Sequence, residues 1–144
     1  MVFPLSDVSF LRLTVIALIQ QVQSEISALT AATAGKTVFA GIDRLERLKG
    51  LPLKLLAFER FLQLHPEHVG RVTLRQLALA ANERGADFVM CRAQCLALAA
   101  RINAAFGEGT VVVEERNDAS CQLQHRLALL SVSSFGCICA ICSV

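Results

Sequence analysis

Apolar residues recur at helical spacing from the start of the chain. Phe10, Leu13, Ala17, Val22, Ile26 and Leu29 predict a helix within residues 1–34, and apolar positions nearly encircle its first half. Ala31 to Gly35 closes it, with Gly35 as the stop. The pattern then shortens. Lys36-Thr37-Val38-Phe39-Ala40-Gly41-Ile42 is a compact apolar, β-branched run after a glycine, which reads as a buried strand. Asp43 to Gly50 is polar and reads as a loop. Pro52 suits a first helical turn. Leu51, Leu55, Leu56, Phe58 and Leu62 then form an apolar stripe, which leaves Lys54, Glu59, Arg60 and Gln63 facing outward. His65-Pro66 ends that helix.

Val72 to Leu79 is the second strand, with Arg75 an odd residue for a central parallel strand. Ala80 to Gly85 reads as a loop. Phe88, Cys91, Cys95, Ala99, Ile102 and Phe106 repeat at three and four and predict a long helix over 86–106, stopped by Gly107 and Gly109. Thr110 to Glu114 is a third strand and Gln122 to Val132 a further helix. Phe135 to Ile141 is a candidate fourth strand. The alternation predicts an α/β layer with a parallel sheet and right-handed crossovers. Ligands bind such sheets at the carboxyl ends of the strands, which here means the loops 43–50, 80–85 and 115–119.

Composition narrows the function classes. The 144 residues fit one domain, and 54% hydrophobic against 18% charged residues excludes a disordered chain. Fourteen Lys and Arg against twelve Asp and Glu give +2, and Trp and Tyr are absent, so no nucleic-acid partner is expected. Val8 to Ile19 is interrupted by Arg12 and falls short of the roughly 20 apolar residues of a membrane span. Met1 to Phe10 carries Asp7 and no cation, a poor export signal. A cytoplasmic protein without a membrane partner is therefore expected. Six cysteines invite a disulfide framework, but reduced thiols suit this compartment better. Cys91 and Cys95 share a helix face. Cys121 and His125 with Cys137, Cys139 and Cys142 match no zinc spacing, so neither a metal nor another cofactor is expected. His65 and His68 read as surface residues, and His125 as structural. Glu114, Glu115 and Asp118 read as a solvated strand end.

The loop after the first strand holds the clearest chemistry. Arg44, Arg47 and Lys49 stand between a buried strand and a helix amino terminus. A guanidinium fork, a compact ammonium and free helical N–H groups together suit a diphosphate. The competing reading is a solvated loop whose cations pair with Asp43 and Glu46. Neither a Walker-type loop nor G-x-G-x-x-G is present, which argues against an ordinary nucleotide site.

Lys36-Thr37-Val38-Phe39-Ala40-Gly41-Ile42-Asp43-Arg44-Leu45, then Lys49-Gly50-Leu51-Pro52 and Lys54-Leu55-Leu56-Ala57-Phe58-Glu59, closely resembles the trehalose-6-phosphate synthase family. His65-Pro66-Glu67, Gly70-Arg71-Val72, Arg101 to Gly107 and His125 to Leu129 continue the resemblance in order, over roughly Gly35 to Ser133. It implies a glycosyltransferase B-type fold, of which this chain would be part of the carboxyl-terminal, nucleotide-sugar-binding domain: a partial Rossmann-like parallel sheet flanked by helices, after an amino-terminal helix. It implies glucose transfer from UDP-glucose to glucose-6-phosphate with retained anomeric configuration and no essential metal in the transfer. Arg44 and Lys49 match the family cations that contact the donor diphosphate.

The departures also carry meaning. Asn82 stands where the family has a further arginine, and Arg84, two residues on, is a candidate substitute. Arg47 replaces a common aromatic, and Arg75 an apolar strand residue. Ser134 to Val144 does not resemble the family segment that holds the donor sugar and ribose. The expected organisation is a helical extension over 1–34, the partial UDP-sugar-binding unit over 35–133 and a divergent apolar tail over 134–144. Two roles are expected: a piece of a synthase that is inactive in transfer by itself, with UDP or UDP-glucose as ligand if the half-site survives, or a non-catalytic nucleotide-binding or regulatory module that keeps the Arg44 and Lys49 loop or pairs with a full-length homologue.

Overall fold

The computed structural model describes residues 5–79, 85–116 and 119–133, with side chains from residue 12 onward and, in the last helix, from residue 124. The order is α1 (Leu5–Ala32), β1 (Thr37–Arg44), α2 (Leu51–Leu64), β2 (Val72–Leu79), α3 (Ala86–Phe106), β3 (Val111–Arg116) and α4 (Ala119–Val132), with 3-10 turns at Arg47–Lys49 and Pro66–His68. The three strands form one parallel sheet in the order β1-β2-β3. Parallel neighbours need crossovers, and α2 and α3 supply them. The candidate fourth strand lies outside the described residues.

Alternation along the strands assigns each side chain to one of two faces. On one face, α2 contributes Leu51, Leu55, Phe58 and Leu62 and α3 contributes Cys91, Cys95, Leu98, Ala99 and Ile102. These pack on Val72, Leu74, Ala78 and Val111. On the other face, Leu29 of α1 and Ala128 and Leu129 of α4 cover Ala40 and Leu77. The result is helix pair, sheet, helix pair. No helix among the described residues is long and apolar enough to cross a membrane.

Element boundaries differ from the sequence pattern in instructive ways. β1 runs through Asp43 and Arg44 instead of ending at Ile42, because its ladder with β2 continues to the pairs Asp43 with Ala78 and Arg44 with Leu79. The Leu45 amide then donates to the Leu79 carbonyl at 2.9 Å. Polarity there marks the strand's carboxyl end and not a loop. β3 starts one residue late and extends to Arg116. Thr110 instead turns its hydroxyl back to the Gly107 carbonyl at 2.6 Å, behind the end of α3. In α2 Leu56 is exposed, while Lys54 points inward.

Candidate functional site

β1 delivers Arg44 at its carboxyl end with the side chain about half exposed. Its guanidinium lies 3.6 Å from the Glu46 carboxylate. The backbone then tightens, with the Glu46 amide donating to the Arg44 carbonyl at 2.8 Å and the Lys49 amide to the Glu46 carbonyl at 3.0 Å. Gly50 leaves the 3-10 turn with φ +65° and opens α2. That left-handed backbone is why glycine stands there. Pro52 follows in the first turn, and no side chain caps the helix. The positive end of the α2 dipole and its first N–H groups thus sit beside a segment bearing Arg44, Arg47 and Lys49. Among the described residues the ammonium of Lys49 has no carboxylate partner within ion-pair distance, so of the two acids offered as neutralisers, Glu46 engages Arg44 alone. Asn82 and Arg84 lie outside the described residues.

Asp43 is committed elsewhere. Beneath the loop its Oδ2 accepts from the Lys54 ammonium and, at 2.9 Å, from the Gln76 amide. Lys54 also donates to Gln76 Oε1 at 3.4 Å. Both charged side chains are only 9% exposed. Gly41, opposite Gln76 in the ladder, makes room: a Cβ there would sit 2.0 Å from Gln76 Oε1. Sequence reasoning missed this trio, although its signal was present. Position 54 falls within the stripe 51, 55, 58, 62, and Gln76 is in phase with Val72, Leu74 and Ala78.

A second polar cluster occupies the α1/α4 face. His125 is buried, with Nδ1 3.1 Å from Glu25 of α1 and Nε2 3.1 Å from Glu114 of β3. Glu114 also faces Arg75 at 3.4 Å and Arg116 at 3.6 Å. The hydrogen bond from His125 holds the Glu114 carboxyl below its ordinary range, and the same bond raises the His125 imidazolium against the opposing pull of burial. Glu114 is therefore no solvated strand end, and Glu115 pairs with Arg92 of α3 at 2.6 Å. Asp118 lies outside the described residues. Arg75 is explained by Glu114, although its Nε, buried, finds no acceptor.

The remaining candidates show little chemistry. Exposed His65 and His68 flank Phe61 with ring centroids 5.3 Å away and share Glu67. Cys91 and Cys95 are buried free thiols, and burial, with Cys91 next to it, pushes Cys95 up to about 12, which disfavours the reactive thiolate.

The model of glycosyltransferase family 20 matches residues 2–143. The alpha,alpha-trehalose-phosphate synthase (UDP-forming) of Yarrowia lipolytica is 37% identical over 112 residues, 78% of this chain and 24% of its own length. A crystal structure of a UDP-forming trehalose-phosphate synthase from Burkholderia xenovorans superposes with TM-score 0.68 at 25% identity, over 81% of this chain and 27% of that one. An E. coli trehalose-6-phosphate structure bound with UDP-2-fluoro glucose superposes with TM-score 0.62 at 22% identity, over 75% of this chain and 26% of that one. The chain spans 14 to 24% of the length of the first curated relatives it matches.

Proposed function

Because the chain belongs to glycosyltransferase family 20, we propose that it carries part of the UDP-glucose side of a trehalose-6-phosphate synthase, with Arg44 and Lys49 facing the donor diphosphate. The observation that carries this is the placement of both cations between the carboxyl end of β1 and the uncapped start of α2. When the bond from the glucose anomeric carbon to the diphosphate breaks, negative charge grows on UDP. Fixed cations and helical N–H groups stabilise that charge without reorganising. The site needs no metal for this. Arg84 is a third candidate for the same anion. In this reading residues 35–133 are the partial UDP-sugar-binding unit, 1–34 a helical extension and 134–144 a divergent tail. In this reading the chain works in a reducing, cytoplasmic setting.

Taken alone, the 144 residues are expected to make no trehalose-6-phosphate from UDP-glucose and glucose-6-phosphate. A second reading, a non-catalytic module that pairs with a full-length homologue, is favoured by one observation: Leu13, Val15, Ile16 and Ile19 of α1 are all at least half exposed. A thermal melt with and without excess UDP separates the two. A ligand at a hundredfold its dissociation constant adds about 2.7 kcal/mol. An upward shift that an Arg44→Ala, Lys49→Ala variant loses supports the half-site. A cooperative but unshifted melt supports the module, and no cooperative transition leaves the chain without either role.

A further inference from the structure

The polar trio beneath the loop is an unusual thing to bury. Two charges that lie 9% exposed lose hydration, and their mutual attraction seldom returns more than a well-packed apolar pair would. The best-attested use of such a pair is to fix register. Its members bracket the loop closely. Asp43 immediately precedes Arg44, and the Lys54 amide donates to the Gly50 carbonyl at 3.0 Å, one turn into α2. Gln76 adds a third fixed point on the neighbouring strand, with its Nε2 also donating to the Leu77 carbonyl at 3.2 Å. The pleat meanwhile turns Asp43 and Arg44 to opposite faces, so Lys54 neutralises the carboxylate next door and leaves Arg44 with Glu46 alone.

We propose that Lys54, held by Asp43 and Gln76, is a positioning residue for the 44–50 loop: it clamps the first turn of α2 to the end of β1 and so sets where Arg44 and Lys49 meet a nucleoside diphosphate. The ligand part of this inference rests on the diphosphate reading given above. The clamp itself is read independently, from amide hydrogen exchange at Leu45 and Lys49, whose bonds to Leu79 and Glu46 hold the loop.

The test compares the full chain with an Asp43→Asn, Lys54→Met double variant, which removes both charges yet keeps an acceptor for Gln76. Exchange at Leu45 and Lys49 is expected to quicken about tenfold while amides deep in α2 keep their protection. Titration with UDP is expected to show an affinity about tenfold weaker, with a melting temperature close to that of the parent. A merely structural pair would move the melting temperature and leave the loop amides and the UDP affinity together. Unchanged exchange at Leu45 and Lys49 overturns the clamp. So does equal UDP affinity of parent and variant where the parent binds. If the parent binds no UDP but the loop amides still quicken, the clamp stands and the diphosphate reading falls. Should the double variant not fold, Gln76→Met, which keeps the ion pair, must show the same selective quickening to a smaller degree, and its absence overturns the proposal.

Discussion

The two faces of the sheet are held by different forces. Under α2 and α3 lies a continuous apolar layer in which Leu51, Leu55, Leu62, Leu74, Ile102 and Val111 are at most 1% exposed. Its polar intrusion, the Asp43, Lys54 and Gln76 trio, is confined to the end of β1 and paired within itself. Under α1 and α4 the buried apolar layer shrinks to Leu29, Ala40, Leu77, Ala128 and Leu129, and two of those five are alanines with one methyl each to bury. Partly buried Ile26, Ile42, Leu79 and Val132 border this layer, and charge adds Arg75, Glu114, Arg116, His125 and Glu25. On the first face burial dominates, and the Asp43, Lys54 and Gln76 trio beneath the candidate loop lies on it. On the second, ion pairs centred on His125 join α4 to α1 and to β3, so part of its strength depends on pH.

Truncation of the core should separate the faces most widely. Leu55→Ala opens a cavity among fully buried neighbours and is expected to cost about 3–5 kcal/mol in urea unfolding, the upper part of the range for such changes. Leu29→Ala, in the thinner layer, is expected near about 2 kcal/mol. Equal losses would show that the α1/α4 face is as well packed as the other and would break the comparison.

The same contrast explains what was legible in the sequence. α3 and β2 have the boundaries that the sequence pattern predicts, and α2 nearly so, because each obeys one period and buries one stripe. The site loop was legible as a cationic segment between strand and helix. Its foundation was not, because Lys54 and Gln76 are polar residues at apolar phases, and a periodicity argument sends polar residues outward. Glu114 failed for the same reason. A carboxylate at a strand's end looks solvated until a histidine eleven residues on, in α4, folds back over it. Partners distant in sequence decide the burial of a charge, and no local pattern encodes them.

Removing that carboxylate should give the next largest effect. Glu114→Gln takes the carboxylate from Arg75 and leaves His125 with Glu25 alone, and it is expected to cost about 1–3 kcal/mol near pH 6. The sign of its pH dependence follows from the two shifts. His125 is raised above its ordinary 6.5, so its contribution is full below that value and is lost as the pH climbs through the native one. Glu114 is lowered below its ordinary 4.5, so its contribution is full above that value and is lost as the pH falls through the native one. The parent should therefore be most stable between these two ordinary values and weaken toward alkaline pH. The variant's profile should be flatter on both sides. An alkaline decline of equal depth in Glu114→Gln would show that Glu114 is not what couples His125 to stability.

The smallest effect tests whether burial or charge is what distinguishes the faces. Arg101 of α3 reaches across to Glu59 of α2, with Nε donating to Oε1 at 3.0 Å and Nη2 to Oε2. The two-pronged geometry is better than anything on the opposite face, but the Arg101 side chain is 56% exposed, against 12% for Glu59. Water and salt should screen it, and Arg101→Gln is expected to cost only about 0.5 kcal/mol at low salt and less at high salt. The apolar layer below, and not this bridge, should keep α2 and α3 together. A loss matching that of Glu114→Gln would mean that ion pairs hold both faces alike and would break the comparison. A small loss that added salt erases would leave burial as what joins α2 to α3.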